Sequence, residues 1–239
     1  MLKLILIISF VVCFISLVNG HGYFVYPISR QQKCNKGAGS FWWPENGDGI
    51  ADPACRAAFK YVYNKGGSGQ YQFTQSNEYS VLIPNYAAGA SALQTAVPKA
   101  LCSAGNTVSP NDKSGMSIAS NWSVTQIPAA NGALTKTITA KFCATASHLP
   151  SFFEFYISKP GYNPATTELK WSDLTLFQTF QNPTLISMSD PNCGASNGYS
   201  FTLNLPTRFS NAVLLTRWQR VDPVGECFIS CSDFKNIVQ

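Results

Sequence analysis

The chain has 239 residues, of which 12% are charged and 13% aromatic, and its formal charge of +5 includes Lys3. No Lys/Arg cluster occurs anywhere, which argues against a nucleic-acid partner. Scarce charge with abundant Gly, Pro, Ser, Thr and Asn is the mixture of an extracellular β-protein rather than a helical one.

Residues 1–20 read as a removable leader. Lys3 gives a short basic start, an apolar stretch runs from Leu4 to Ile15, and Val18-Asn19-Gly20 ends in residues that signal peptidase accepts. The stretch is short for a membrane span, so the expectation is a secreted protein with no membrane anchor. Cleavage there leaves about 220 residues beginning at His21, the length of one large all-β domain or two small ones.

From Gly37 to Gly49 the sequence is turn-rich and carries adjacent Trp42 and Trp43, which predicts an exposed or half-exposed loop. Pro53 to Lys65 is predicted as the one helix. Asp52 can cap it, Pro53 suits its first position, and Ala54, Ala57, Ala58, Tyr61 and Val62 supply an apolar face before Gly66. The rest of the first half is irregular. Strand-like stretches then alternate with turns: Leu134–Cys143, Phe152–Ile157, Leu174–Thr179, Tyr199–Leu205, Ala212–Gln219 and Glu226–Ser232. With no internal repeat or linker, residues 21–239 are expected to form a single domain. Its fold class is all-β: an immunoglobulin/fibronectin III-like antiparallel β-sandwich with a long loop region containing a short helix.

Outside the leader, which holds Cys13, seven cysteines remain: Cys34, Cys55, Cys102, Cys143, Cys193, Cys227 and Cys231. In an exported chain this odd number implies three disulfides and one thiol, although spacing alone leaves the pairing open. Zinc is a poor fit, because Cys227-x-x-x-Cys231 has no second pair at ligand spacing. Asn121-Trp122-Ser123 is the usable glycosylation sequon.

The chain has two histidines, His21 and His148. That scarcity excludes any three-imidazole metal site and the two-histidine helix of a metalloprotease. A Ser-His-Asp triad lacks its Gly-x-Ser-x-Gly turn, whereas twelve acidic residues leave carboxylate-pair hydrolysis formally open. A histidine at the mature N-terminus offers an amine and an imidazole in one chelate. A second imidazole from His148 would complete three nitrogens, a set that suits Cu(II). The amine normally titrates near pH ~8, so copper must displace its proton.

Three separated groups of residues carry a family resemblance. They are His21-Gly22-Tyr23 with Pro27 and Arg30, Thr145-Ala146-Ser147-His148 before an aromatic strand, and Arg217-Trp218-Gln219-Arg220 leading to Phe228. Further stretches recur in the same order: Gly47-Asp48-Gly49-Ile50, Cys55-Arg56-Ala57-Ala58, Asp112-Lys113-Ser114-Gly115-Met116 and Asp222-Pro223-Val224-Gly225-Glu226. Over nearly all of residues 21–239 the sequence resembles chitin-active lytic polysaccharide monooxygenases. The likeness is to their viral spindolin and fusolin branch and to a fern insecticidal chitin-binding type.

The resemblance implies copper as cofactor, held by the amine and ring of His21 and the ring of His148 in a histidine brace. It places Phe228 on the axial side, Ala146 crowding the other, and Glu226 as a polar neighbour able to hydrogen-bond a bound water. Trp43, Trp42, Glu45 and Asp222 fall where relatives contact polysaccharide, and aromatic rings there can stack on sugar faces. It pairs Cys34 with Cys55, Cys102 with Cys231 and Cys143 with Cys193, leaving Cys227, where relatives generally carry a small residue. A reduced thiol within reach of copper would invite self-oxidation, so Cys227 is expected to point into the core, and strand alternation puts it and Phe228 on opposite faces.

The activity implied is oxidative cleavage of crystalline chitin, usually at C1, by a monomer that draws on O2 or H2O2 and an external electron donor. The alternative is a chitin-binding protein with an insecticidal or accessory role in which oxidation is weak or not required.

Overall fold

Alternation of apolar and polar side chains builds the second half of the chain. In the computed structural model, which describes residues 20–36 and 46–239, Ile138, Ala140, Phe142 and Ala144 of one strand turn inward. Tyr199, Phe201, Leu203 and Leu205 of its neighbour do the same, as a period of two requires. The leader through Asn19 and the loop residues Trp42, Trp43 and Glu45 lie outside the described residues.

In chain order the elements are β1 (His21–Tyr26), α1 (Arg30–Lys36), α2 (Pro53–Tyr63), α3 (Tyr71–Thr74), β2 (Ser80–Leu82), α4 (Ala90–Ala96) and β3 (Thr125–Ala129). There follow β4 (Thr135–Ala146), β5 (Ser151–Ser158), β6 (Leu174–Gln181), β7 (Ile186–Ser187), β8 (Asn197–Pro206), β9 (Ala212–Arg220) and β10 (Glu226–Val238). One sheet has the order β1-β4-β8-β7 and the other β2-β10-β9-β5-β6. Between them lies an aromatic core of Phe24, Phe142, Phe153, Phe155, Tyr199, Phe201, Trp218 and Phe228. The expected sandwich is therefore present and mostly antiparallel, with one correction: β3 pairs with β10 in parallel, Thr125 opposite Phe234.

The first half is more structured than its sequence suggests. Among the described residues four α-helices replace the single predicted one, and β1, β2 and β3 had no alternating signal. α2 starts as expected, Asp52 Oδ1 accepting from the N–H groups of Ala54 and Cys55 at 2.9 and 3.0 Å. It ends at Tyr63 rather than Lys65, and its inner face is Ala54, Cys55, Ala58, Phe59 and Val62. Tyr61, expected inside, is 45% exposed, because Phe59 takes the inward direction on that turn.

This inserted region, residues 27–124, is bolted to the sandwich by covalent and ionic links. The three expected disulfides are present: Cys102–Cys231 ties the insert to β10, Cys34–Cys55 joins α1 to α2 within the insert, and Cys143–Cys193 lies within the sheet half. Arg30 at the head of α1 makes a bidentate pair with Asp233 of β10, at 2.7 and 2.9 Å, and lies over the Trp122 ring. β9 is buried along its whole length. Leu214 and Trp218 face the aromatic core, while Val213 and Leu215 face a second core with Leu93, Val97 and Leu101 of the insert.

Candidate metal centre

Both histidines reach the same end of the sandwich. His21 opens β1 opposite Ala146, the last residue of β4, and His148 stands two residues further on. The ladder shifts register between His21 and Gly22. A Cβ on Gly22 would sit 2.3 Å from the Phe142 ring and 2.4 Å from the Cys143 carbonyl, so only glycine lets β1 lie this close. His21, Ala146 and His148 are all half-buried.

The floor is apolar. The Phe228 ring lies 6.2 Å from that of His21, tilted by 59°, and stacks on Trp218 at 5.0 Å. Phe228 faces Ser80 of β2 on one side and Trp218 of β9 on the other. Cys227, its neighbour on β10, points to the opposite face in the second core, and it is the one free cysteine among the described residues. Burial pushes its thiol up to about 11 against the nearby Arg217 cation, which makes it inert near neutral pH.

The wall around His148 is ionic. Arg220, at the end of β9, places Nη2 3.0 Å from His148 Nε2 and donates from Nη1 to Glu226 at 2.7 Å. Its Nε donates to Asp222 at 2.9 Å. An arginine N–H can only donate, so His148 Nε2 carries a lone pair. Burial first, and then the Arg220 cation, lower the His148 imidazole below its ordinary value, outweighing Asp222 and Glu226. His148 Nδ1 is buried without a hydrogen-bond partner.

Asp222 is engaged inward. Its Oδ1 accepts from the Val224 and Gly225 N–H groups at 3.0 and 2.8 Å, and Oδ2 lies 3.4 Å from His148. Burial would raise its carboxyl, but the Gly225 N–H and Arg220 hold it below the ordinary value. Glu226, 7% exposed, also accepts from the Gly20 N–H at 3.1 Å, and Glu78 Oε1 stands 3.6 Å from His21 Nε2.

These residues fit a divalent metal. A neutral imidazole with a lone pair is the form a metal takes up. Three carboxylates (Glu78, Asp222, Glu226) against two cations (Arg220, and Lys113 beside Glu78) leave the surroundings at a formal −1 before the histidines are counted. Among the described residues no group of three or more His, Cys, Asp or Glu side chains forms a ligand cluster. The expected site residues His21, Ala146, His148, Glu226 and Phe228 thus lie together. Arg220 stood in a quoted motif without a role, although its place at a strand end before two acids was a usable signal. Glu78 had none, since it lies in a segment of no periodicity.

A β-sandwich that brings one imidazole beside a phenylalanine floor and a second beside an arginine–carboxylate wall at the same end defines a candidate metal-binding sandwich protein. A family model described as lytic polysaccharide mono-oxygenase, cellulose-degrading, matches residues 21–234, opening on His21, and the chain belongs to that family. It is 42% identical to a spindolin of Heliothis armigera entomopoxvirus over 90% of this chain and 66% of that protein, just under two thirds of the relative's length. Among solved structures it is similar to the entomopoxvirus fusolin described as enhancing virulence and crystallizing into viral spindles. There the TM-score is 0.86 and the identity 40%, over 92% of this chain and 77% of that one. A cellulose-active lytic polysaccharide monooxygenase in complex with copper gives 0.69 and 29%, over 92% of this chain and all of that one.

Proposed function

We propose that the protein, cleaved before His21, is a secreted copper-dependent monooxygenase that binds crystalline chitin and cleaves it oxidatively, with C1 oxidation as the main outcome. The observation that supports this reading is the pairing of His21 with Ala146, two residues before His148, at the end of the sandwich where the His21 ring lies beside Phe228. His21, through its amine and ring, and His148, through its ring, would hold the copper. Bound there, copper supplies one-electron chemistry with O2 or H2O2, fed by an external electron donor.

The chain's own residues do the rest. Phe228, a side chain that is not redox-active in itself, forms an apolar floor backed by the Trp218 ring. Ala146, opposite His21 in the ladder, would border the metal and restrict the approach of oxygen. Arg220 fixes the Glu226 carboxylate, which loses the Gly20 N–H on cleavage and can then accept a hydrogen bond from water beside the new amine. Trp43, Trp42 and Glu45 are the proposed polysaccharide contacts of the loop, and Asn121 is the proposed glycan site. A second reading draws on the fusolin neighbour: an insecticidal or accessory chitin-binding role in which oxidation is not required.

The test incubates copper-loaded mature protein with chitin, and in parallel with cellulose, plus a reductant. Oxidised oligosaccharides from chitin are expected, and His148→Ala should abolish them while sparing much of the binding. Bound copper without oxidised products sinks the catalytic claim. Unoxidised reducing ends point to hydrolysis, products from cellulose alone overturn the substrate, and a biological effect that survives His148→Ala favours the second reading.

A further inference from the structure

The segment Asn77–Tyr79 crosses the rim beside His21 and is fixed from three sides. Gly22 N–H donates to the Asn77 carbonyl at 3.1 Å, Ile229 N–H to the Tyr79 carbonyl at 2.9 Å, and the Lys113 ammonium to the Glu78 carbonyl. Its continuation, β2, pairs with Glu226, Cys227 and Phe228. The backbone of Glu78 is therefore tied both to the strand that begins at His21 and to the strand that carries the phenylalanine floor. Its carboxylate faces His21, with Oε1 3.6 Å from Nε2.

The chemistry of an N-terminal histidine makes that nitrogen the informative one. Amine and Nδ1 of the same residue close a six-membered chelate, whereas Nε2 points away and keeps its proton. A ligating imidazole whose remaining N–H is accepted by a carboxylate is fixed in tautomer and orientation, and its nitrogen becomes more basic. We infer that Glu78 is a positioning residue for the metal centre, taking the Nε2–H of His21 and so holding Nδ1 toward the metal. Side-chain movement of less than an ångström brings 3.6 Å to hydrogen-bond distance. The inference rests on the copper reading above. It concerns the His21 half of the centre alone.

The experiment compares mature wild type, Glu78→Ala and Glu78→Gln, with Cu(II) alone as probe. Calorimetry gives affinity, electron paramagnetic resonance the ligand field, and metal-free melting the fold. Carboxylate partners of ligating histidines are typically worth 10–100-fold in metal affinity; with the Glu78 side chain 38% exposed, the lower end, about tenfold, is expected for Glu78→Ala. Its copper spectrum should shift while metal-free melting stays within about 1 °C, and Glu78→Gln, which keeps an acceptor oxygen, should recover most of the affinity. Wild type that binds copper with Glu78→Ala matching it in affinity and spectrum overturns this inference alone. Lowered melting in both variants with no rescue by Gln also overturns it, as a structural role. Wild type that fails to bind Cu(II) overturns the copper reading and this inference together.

Discussion

The sheet half and the inserted half of the molecule are held together by different physics. Strands β4 to β10 close over a continuous aromatic core in which Phe153 alone touches the rings of Phe142, Tyr199, Phe201 and Trp218. The insert buries a smaller core around Phe59, Phe73, Tyr79 and Met116, and relies on disulfides, on the buried pair of Arg30 with Asp233 and on the half-exposed pair of Lys65 with Asp112. Perturbing the first should unfold everything, whereas perturbing the second should loosen one side. The site draws on both, since His148, Arg220, Glu226 and Phe228 come from the sheets and Glu78 from the insert.

The largest expected effect is Phe153→Ala. Removing a ring with no solvent exposure leaves a cavity that nothing else fills, and about 3–5 kcal/mol of stability should be lost. Denaturant titration should show one cooperative transition at a lower midpoint for both halves. Two separate transitions would mean that the halves are less coupled than their shared strand β10 suggests.

Replacing Cys102 and Cys231 together by Ser removes the link between insert and β10, whose closed loop spans a sequence separation of 129. A cost of about 2–4 kcal/mol is expected, less than for the core ring. Hydrogen exchange should rise first in residues 86–118 and leave β4 and β8 protected. Equal loss of protection in β4 would break the distinction between the halves.

Asp112 gives a smaller, pH-dependent effect. Burial acts to raise its carboxyl, but Lys65 at 2.6 Å and the hydroxyl and N–H of Ser114 outweigh that and hold it below the ordinary value. A carboxyl depressed in the folded state contributes stability that is present above its unfolded value, near pH ~4, and is lost as pH falls through the folded one. Lys65 is 38% exposed and solvent screens the pair, so Asp112→Asn should cost only about 1 kcal/mol at pH 7. The gap between variant and wild type should narrow below pH ~4, read by denaturant midpoints across pH 3–7. A gap constant with pH would remove the ionic account of the insert.

The same division explains what could be read from the sequence. Alternation at Ile138, Ala140 and Phe142, or at Phe201, Leu203 and Leu205, is a local pattern with one physical cause, and it located β4 and β8 to within a few residues. α1 is Arg-Gln-Gln-Lys-Cys-Asn-Lys, with no apolar face to detect. It is a helix because Arg30 and Cys34 are anchored to Asp233 and Cys55, partners 203 and 21 residues away. At the site, His21, His148 and Phe228 were legible because two histidines allow one pair and family motifs surround them. Glu78 was not, because only the tertiary path of its segment brings it to His21. Tyr61 shows the limit of periodicity, since Phe59 competed for the inward position of α2 and took it.

The smallest effect is expected at Cys227, where sheet and insert meet. Its thiol has no exposure, lies among Ile83, Leu93, Val213 and Ile229 of the second core, and is pushed up to about 11 by burial. A thiol reagent at pH 8 should therefore leave the folded protein unmodified, while the unfolded, unreduced protein, with its leader removed, should react at one cysteine. Cys227→Ala removes one buried sulfur and should cost on the order of 1 kcal/mol, with copper affinity unchanged because the side chain faces away from Phe228. Rapid modification of the folded protein would mean that the seam between the halves opens readily, and that the ionic and disulfide links of the insert hold it more loosely than the aromatic core holds the sheets.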